Sequence, residues 1–494
     1  MSRAGAETVQ TQDLRAPQVV PLLIAALRAR LLEAGLTEDG IRSSMGGAVD
    51  PWSLAAGQPA TENSALITLF CFGASVGAAQ AQAALEPLRL ADLERLGLVE
   101  IRDGLVRPRS IIRPVDGLLV ASDLPGQADP VLGNVPASET LARLTVRRRA
   151  GRALDLGSGC GVQGLLLARH SETVISIDVN PRAVDLTAFN AALNETTNLE
   201  SREGSWFTPV DGERFDTIAC NPPYVISPDS TYTYRDGGLP RDAVCWMVVR
   251  EAAAHLADGG FATVLCNWIH DDSWSDPLLP WVADTGCDAL LLHYATIEPP
   301  IYAANWNAES RRSAPARFEA TVKRWIAYYA AEHIAHIGVG AVILRRRAGD
   351  GHWVRALDMA AGPTCQSSDD IVRLFQAADF LEKYRGPEIF RHVYTPLEGH
   401  RVDQALRFSG GKYAVEPVVF RRVPGIGLEA RVDASALEVL LECDGHRVLE
   451  DLIAKTARRR GESVGSVRAL VEDPVRRLIE RGFVIPIVNE KEGA

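Results

Sequence analysis

The stretch "RALDLGSGCGVQGLLLARH", residues 152–170, joins a short apolar run to a second apolar run through a cluster of glycines. Gly157, Gly159 and Gly161 follow the first run, which we predict to be a strand, and precede the second, which we predict to be a helix. Glycines at such a junction allow a tight turn and let the backbone approach a ligand closely. The stretch therefore predicts a strand, a ligand-binding loop and a helix, as found in α/β proteins.

Two aspartates accompany this loop. Asp155 lies at the end of the first strand, and Asp178 closes the next one, "VISIDVN". An acidic side chain in the second position can accept hydrogen bonds from ribose hydroxyls. Dinucleotide sites favour G-x-G-x-x-G, and here the third glycine comes one residue early, although Gly164 could act as a late one. Asp155 would also repel a pyrophosphate, whereas it could orient a cationic ligand.

Asp155 and the glycines resemble the first motif of class I S-adenosylmethionine-dependent methyltransferases. The ligand of that family carries an ammonium and a sulfonium centre, which suit an acidic pocket. The resemblance implies S-adenosyl-L-methionine as cofactor and a Rossmann-like α/β fold with a seven-stranded, mostly parallel sheet. We favour this interpretation over a nicotinamide site.

A second feature, "FDTIACNPPY", ends a predicted strand in two prolines, which cannot continue a buried ladder. Asn221-Pro222-Pro223-Tyr224 resembles the catalytic motif of methyltransferases that act on planar nitrogens, namely base exocyclic amines or the glutamine side-chain amide. Such a nitrogen is a poor nucleophile, so it must be held in line with the methyl group while acceptors hold its hydrogens. The resemblance assigns Asn221, Pro222 and Tyr224 to catalysis and all four residues to acceptor binding. The Asn221 and Pro222 carbonyls would accept, and Tyr224 would stack on the planar group.

The surrounding run "EGSWFTPVDGERFDTIACNPPYV" resembles the HemK-type release-factor glutamine methyltransferases, a branch related to small-domain RNA N-methyltransferases. Upstream, "VPASETL" resembles the P-x-P-E-T segment of the same branch, and the similarity covers roughly residues 125–265. Ser205 stands where the family has aspartate. The resemblance places Trp206 beside the cofactor. The cofactor-binding set implied by both motifs is Asp155, Gly157, Ser158, Gly159, Cys160, Gly161, Asp178, Trp206 and Asn221.

The patterning divides the chain into four parts. Residues 1–125 read as helices followed by a hairpin at Asp103-Gly104, which predicts a winged-helix-like domain. Residues 126–349 alternate apolar strands with helical segments and form the predicted methyltransferase domain. Residues 350–430 are punctuated by glycine and proline and read as an irregular connecting region. Residues 431–494 again combine amphipathic helices, a glycine and a short strand, which predicts a second winged-helix-like domain.

Composition narrows the possibilities. The net charge of −11 argues against broad electrostatic wrapping of nucleic acid. The eight cysteines include no C-x-x-C pair, so we expect reduced thiols and no metal site. With neither a signal segment nor a membrane span apparent, we expect a cytoplasmic protein. Three arginine triplets read as solvated faces unless two of them converge, which would favour an RNA substrate: Arg147–Arg149, Arg345–Arg347 and Arg458–Arg460.

These observations predict an N-methyltransferase with a macromolecular acceptor. A glutamine amide in a protein is slightly favoured, and an exocyclic amine of a base in RNA or DNA remains the alternative. A cofactor-sensing protein without catalysis, binding nucleic acid or a peptide, is a second alternative, which the intact Asn-Pro-Pro-Tyr disfavours. The loop after this motif is a candidate substrate lid, in which Tyr232, Tyr234 and Arg235 could contact the acceptor.

Overall fold

A computed structural model describes residues 15–44, 65–124, 127, 129–229, 234–359, 362–422 and 425–487. The chain divides into two compact units. The first comprises Met1–Ser138 and Ala150–Glu213, and the second comprises Glu139–Arg149 and Arg214–Ala494. Tyr232, predicted to contact the acceptor, lies outside the described residues.

The first unit begins with helices and short antiparallel strands. Its elements are α1 (Pro21–Glu33), α2 (Glu38–Ser44), β1 (Val76–Gly77), α3 (Ala78–Leu85), α4 (Leu90–Arg95), β2 (Val99–Arg102), β3 (Leu105–Pro108), β4 (Ser110–Val115) and β5 (Leu118–Asp123). The predicted hairpin is confirmed: β2 pairs with β3, and Asp103 and Gly104 at its turn have φ of 55° and 75°. Positive φ at both central residues matches the right-handed twist of the two strands. The winged-helix assignment itself stays a prediction.

Helix α5 (Pro136–Leu144) begins in the first unit and ends in the second. The first unit then continues with β6 (Ala150–Leu156), α6 (Val162–Ala168), β7 (Ser171–Asp178), α7 (Pro181–Leu193) and β8 (Leu199–Glu203). The three strands are parallel, in the order β6-β7-β8. Asn180 caps α7, since its side-chain oxygen accepts from the backbone N–H of Arg182 at 3.0 Å, and Pro181 starts the helix with its fixed φ.

Asn190 in α7 and Asn194, which caps the end of that helix, hold the edge of strand β5. Asn190 is fully buried; it accepts from the N–H of Ala121 at 2.8 Å and donates to the Ala121 carbonyl at 2.9 Å. It also donates to the Cys160 carbonyl at 2.8 Å. Asn194 repeats the pattern one helical turn later, on both backbone groups of Leu119. Side-chain amides thus satisfy strand groups that would otherwise be buried without partners.

The second unit contains the remaining strands of the α/β pattern. Its first elements are β9 (Phe215–Cys220), α8 (Ala243–Ala254), β10 (Leu256–His270), α9 (Leu279–Val282), β11 (Cys287–Ile297), α10 (Pro299–Trp306), α11 (Ser310–Ser313), α12 (Pro315–Ala331), β12 (His336–Arg346) and β13 (Val354–Asp358). The strand order is β9-β10-β12-β11-β13, and β12 runs antiparallel to both neighbours. Residues 261–270 of β10 are all buried, as expected for a strand covered on both faces. The predicted α/β fold of the class I type is confirmed, and β13 extends its sheet beyond residue 349.

The last part of the second unit differs from the expected irregular region. Its elements are α13 (Ser368–Lys383), β14 (Val393–Pro396), β15 (His400–Asp403), β16 (Leu406–Ser409), β17 (Lys412–Val415), β18 (Val418–Arg422), β19 (Glu429–Val432), α14 (Ala434–Leu440), α15 (Leu449–Arg460), α16 (Val464–Glu480) and β20 (Val484–Ile487). The described residues between 350 and 430 therefore include one long helix and several short strands. Ile371, Leu374, Phe375 and Ala378 recur at helical spacing and are buried, a pattern the glycines and prolines nearby obscured.

The regions predicted as separate, 350–430 and 431–494, share one hydrophobic core, in which Phe380, Phe390 and Phe420 belong to the same cluster as Leu478 and Phe483. Strand β14 pairs antiparallel with β20. The predicted succession of helix, glycine and short strand is present in α16, Gly482 and β20, while the winged-helix assignment stays a prediction. Within the described residues, no helix has both the length and the apolar character needed to cross a membrane.

Candidate active site

The glycine loop turns the chain from β6 into α6. Gly157, Gly159 and Gly161 have φ of 72°, 53° and 79°, conformations that L side chains rarely adopt. The N–H groups of Gly157 and Ser158 both donate to the Ile177 carbonyl at 2.9 Å, which ties the loop to β7. Gly157 is exposed, and a Cβ built on Gly159 would meet no atom within 4 Å. The backbone of the loop therefore borders open space.

Thr187 on α7 lies directly beneath this loop and is fully buried. Its hydroxyl donates to the Gly159 carbonyl at 3.2 Å and lies 3.3 Å from the Ser158 hydroxyl. A Cβ on Gly161 would come within 2.7 Å of Thr187 Cγ2, so this glycine is needed both for its φ and for the close approach of α7. Thr187 could not be predicted from the sequence, because a threonine within a helical run carries no recognisable signal.

Asp155 is buried under the loop, with 2% of its surface exposed. Its Oδ2 accepts from the N–H of Gly164 at 2.9 Å and from the Ser176 hydroxyl at 3.3 Å. Burial raises the pKa of this carboxyl to about 7. Asp155 thus fixes the start of α6 against β6, and its role in binding the cofactor stays a prediction.

Asp178 ends β7 with both carboxylate oxygens engaged. Oδ2 accepts from the N–H of Gly159 at 2.8 Å, and Oδ1 accepts from the N–H of Asn180 at 2.9 Å. Burial raises the pKa of this carboxyl above its usual value, and these backbone hydrogen bonds oppose the shift. A carboxylate has about four lone-pair sites, so these backbone hydrogen bonds leave acceptor capacity for a ligand hydroxyl.

Trp206 stands on the turn that follows β8. The N–H of Gly204 donates to the Asp178 carbonyl at 3.0 Å, which brings this turn beside the end of β7. Trp206 is half-buried and has a φ of 51°, which is unusual for a bulky residue. Ser205, the departure from the family pattern, is exposed, whereas Phe207 is buried.

Cys160 contributes only its backbone to the loop, since its side chain is buried and burial raises the pKa of its thiol to about 12. The first unit thus gathers an exposed glycine backbone, a carboxylate with free acceptor capacity and an aromatic ring at adjacent strand ends. These groups fit a ligand with ribose hydroxyls, an aromatic base and a positive centre, as S-adenosyl-L-methionine has.

Asn221 follows β9 in the second unit. Its side-chain Oδ1 is buried and accepts no hydrogen bond from the part of the chain that the structure describes. A buried acceptor without a partner costs free energy, so such groups in folded proteins call for an explanation. Pro222 is buried beside it, and its fixed φ ends the strand abruptly. The structure therefore holds an unused acceptor at the position where the motif requires one.

Tyr224 forms an isolated antiparallel bridge with Asp236, and the N–H of Val225 donates to the Arg235 carbonyl at 3.3 Å. Its ring meets that of Trp306 edge-on, with centroids 6.2 Å apart. Burial raises the pKa of the Tyr224 hydroxyl to about 12, so the side chain stays neutral. Tyr224 and the half-buried Trp306 together form an aromatic wall.

Residues far along the chain hold this corner, and no local motif in the sequence marks them. The hydroxyl of Tyr302 on α10 accepts from the side-chain amide of Asn267 at 2.6 Å and from the N–H of Ile226 at 3.3 Å. The hydroxyl of Tyr329 donates to the Ile226 carbonyl at 2.9 Å. Both backbone groups of Ile226 are thus bonded to tyrosines that follow β11.

The loop predicted as a lid divides into two kinds of residue. Tyr234 is exposed, and its predicted contact with the acceptor stays a prediction. Arg235 is buried: its Nε donates to Asp236 Oδ1 at 2.9 Å, and its guanidinium lies 5.4 Å from the ring of Trp325. Arg235 therefore stiffens the loop, and the structure gives no support to its predicted contact with the acceptor.

The family model of the methyltransferase small domain matches residues 136–270, which include the glycine loop, Trp206 and the Asn-Pro-Pro-Tyr corner. This segment is a class I S-adenosylmethionine-dependent methyltransferase domain of HemK type. A second family model, a domain of unknown function (DUF7059), matches residues 33–109.

The methyltransferase domain is similar to curated release factor glutamine methyltransferases. That of Xylella fastidiosa is 32% identical over 148 residues, which is 26% of this chain and 54% of the relative. That of Aquifex aeolicus is 34% identical over 143 residues, which is 26% of this chain and 51% of the relative. The chain thus spans about half the length of these relatives. Among solved structures, YcgJ from Bacillus subtilis covers 43% of this chain and 99% of its own, with 16% identity and a TM-score of 0.29.

Proposed function

We propose that this protein is an N-methyltransferase that methylates the side-chain amide of a glutamine in an acceptor protein. The observation that carries the proposal is the buried Oδ1 of Asn221 after β9, which has no hydrogen-bond partner among the residues that the structure describes. The Asn221 oxygen gains a hydrogen bond when an N–H of the substrate enters the site. The favourable free energy of that hydrogen bond then helps to hold the substrate.

The chemistry follows from the acceptor's electronic structure. An amide nitrogen has its lone pair delocalised, and charge can build on it only while its hydrogens are held. Asn221 accepts one N–H, and the main-chain carbonyl of Pro222 accepts the second. Tyr224 and Trp306 flank the planar group and restrict its orientation, which lowers the entropy lost in the reaction. Asn221 and Pro222 act by binding and orientation, without a general base.

S-Adenosyl-L-methionine, when bound, supplies an electrophilic methyl group on a sulfonium centre. In this chain the backbone of residues 157–161 would hold it, Asp178 would accept from its ribose hydroxyls, and Trp206 would lie beside its base. Asp155 and Thr187 keep this backbone in place from below.

Glutamine is favoured because the two curated relatives named above are both release factor glutamine methyltransferases. The same corner suits an exocyclic amine of a base in RNA or DNA, since that nitrogen is equally planar. The cytoplasm is the proposed location: all eight cysteines are free, as expected in a reducing compartment.

The decisive experiment is transfer of a labelled methyl group from S-adenosyl-L-methionine into a cell extract, followed by nuclease or protease digestion. We expect label that resists nuclease and maps to a glutamine by mass spectrometry. Asn221→Ala should abolish it while cofactor binding persists, and Asn221→Asp, which keeps an oxygen in place, serves as the matched variant. Loss of the label on nuclease digestion would show that the acceptor is a nucleic-acid base and not a glutamine. An Asn221→Ala variant as active as wild type would refute the mechanism.

A further inference from the structure

Two of the three arginine triplets converge within the second unit. Arg148, from the segment after α5, and Arg345, Arg346 and Arg347, at the end of β12, line one cavity of about 320 Å³. A volume of this order accommodates a small ligand, about the size of a mononucleotide. These triplets are about 200 residues apart in the sequence, and the fold of the second unit brings them together.

The charges around the cavity do not cancel. Arg347 makes a two-pronged contact with Asp288, at 2.9 and 3.0 Å, and Arg345 bonds both Asp288 and Asp379. These two arginines are therefore balanced by two carboxylates. Within the described residues, Arg346 bonds only backbone carbonyls and Arg148 has no carboxylate partner. Two positive charges remain, which matches the charge of about −1.5 to −2 on a phosphate monoester at neutral pH.

Three of the four arginines, Arg345, Arg346 and Arg347, are held by hydrogen bonds before any ligand arrives. Arg345 and Arg346 each have an Nε that is buried and has no hydrogen-bond partner in the described chain. Arg345 lies 5.1 Å from the ring of Phe375, which itself meets Phe261 edge-on at 5.2 Å. Arg148 lies 6.0 Å from the ring of Phe261. Guanidinium groups held against an apolar floor lose little rotamer freedom when they bind a planar or tetrahedral oxyanion.

This cavity is separate from the methyl-transfer corner. Phe261 is level with Thr217 on β9, four residues before Asn221, or about 13 Å along the strand. Gly259, near the start of β10, and Arg346, at the end of β12, both lie on the side of the sheet where β9 begins. Asn221 follows the opposite end of β9. A ligand in the cavity is therefore not the group that receives the methyl.

We propose that this cavity is a second binding site, specific for a phosphate group, which holds either a free phosphomonoester or one phosphate of an RNA strand. Arg148 and Arg346 supply the uncompensated charge, and Arg345 and Arg347 supply a rigid frame. Phe261 and Phe375 form the floor. The site binds an anion without chemistry, and it is independent of the proposed acceptor.

The test uses the purified full chain and three probes: inorganic phosphate, adenosine monophosphate and a short fluorescein-labelled single-stranded RNA. Binding is measured by calorimetry for the first two and by fluorescence anisotropy for the third. Arg148→Gln removes an exposed cavity arginine, and Arg149→Gln removes the exposed arginine next to it, which does not line the cavity. The pair changes net charge equally. Thermal unfolding of both variants checks that they fold.

We expect at least one probe to bind and Arg148→Gln to weaken it about tenfold, as for loss of a hydrogen bond to a charged group, with Arg149→Gln within twofold of wild type. Binding of the two small probes would show that the ligand of the cavity is a phosphomonoester. Binding of RNA alone would show that it is a phosphodiester. Absence of binding by all three probes, or equal weakening by the two variants, would overturn the proposal. Methyl transfer is not a readout, so these outcomes are independent of the function proposed above.

Discussion

Tyr224 and Trp306 meet edge to face, with ring centroids 6.2 Å apart and planes inclined by 68°. They are separated by 82 positions in the sequence, and the contact places α10 against the Asn-Pro-Pro-Tyr corner. The aromatic surface at this corner thus consists of Tyr224, which belongs to the Asn-Pro-Pro-Tyr motif, and Trp306, which does not.

Replacing Trp306 should affect acceptor binding more than turnover. Aromatic pairs contribute about 0.5–1.5 kcal/mol beyond burial, so we expect Trp306→Ala to raise KM for the acceptor by roughly two- to tenfold. Trp306→Phe keeps a ring edge and should recover most of the loss. Steady-state kinetics with varied acceptor measures both. Trp246→Ala, at an exposed tryptophan on α8, is the control. A fall in kcat with unchanged KM would contradict the assignment.

Asp178→Asn should weaken cofactor binding. The carboxylate accepts from the N–H groups of both Gly159 and Asn180, whereas an amide has one accepting oxygen and turns its NH₂ toward the other donor. We expect at least about a tenfold increase in Kd for S-adenosyl-L-methionine by calorimetry. Asp185→Asn, an exposed position on α7, should bind as wild type does. If the two variants bind alike, Asp178 does not shape the loop.

Gly161→Ala should destabilise the protein through two separate effects. The positive φ costs about 1–2 kcal/mol in an L residue, and the added Cβ lies 2.7 Å from Thr187 Cγ2. Gly212→Ala separates these effects, since Gly212 has φ +73° and open space around its Cβ. Urea unfolding should show the larger loss for Gly161→Ala. Adding Thr187→Ser, which removes Cγ2, should restore part of the difference; equal losses in the two glycine variants would exclude the steric effect.

The buried Asp155 should make stability depend on pH. Its folded-state pKa of about 7 lies above the unfolded value near 3.8, so the folded state binds the extra proton between these two values. This contribution to stability is fully present below about pH 4 and is lost as pH rises through 7, at about 1.4 kcal/mol per pH unit. Asp178, whose pKa is also raised, acts in the same direction.

Urea unfolding of wild type and Asp155→Asn between pH 4 and 8 tests this dependence. The wild-type free energy of unfolding should fall more steeply with rising pH than that of the variant, which cannot ionise at this position. Parallel curves would mean that the carboxyl of Asp155 is ionised throughout in the folded protein.

The parts of the site that a short motif encodes could be predicted from the sequence. The glycine loop, Asp178 and the Asn-Pro-Pro-Tyr corner are each local, and the strands around them are continuous apolar runs. The groups that hold those motifs could not be predicted. Thr187, Asn190 and Tyr302 are distant in sequence, and each has a residue type common in ordinary helices.

The region after residue 350 shows why the outer parts of the fold were harder to predict. Its strands are four or five residues long, and β16 and β17 are exposed along their whole length, so neither shows the alternation that marks a half-buried strand. Helix α13 is flanked by glycines and prolines, and these residues predicted an irregular region instead of a helix. The convergence of Arg148 with Arg345–Arg347 depends on tertiary structure alone.

Asn190 also limits where the chain can be cut. Its amide spans the backbone of Ala121 and the carbonyl of Cys160, so strand β5 and the glycine loop share one side chain. A chain begun at residue 126, the boundary that the sequence suggested, would lack the Leu119 and Ala121 backbone groups to which the side-chain amides of Asn194 and Asn190 are bonded. Any recombinant fragment meant to retain the cofactor should therefore begin upstream of β4, and an attempt to graft this domain elsewhere must bring the hairpin with it.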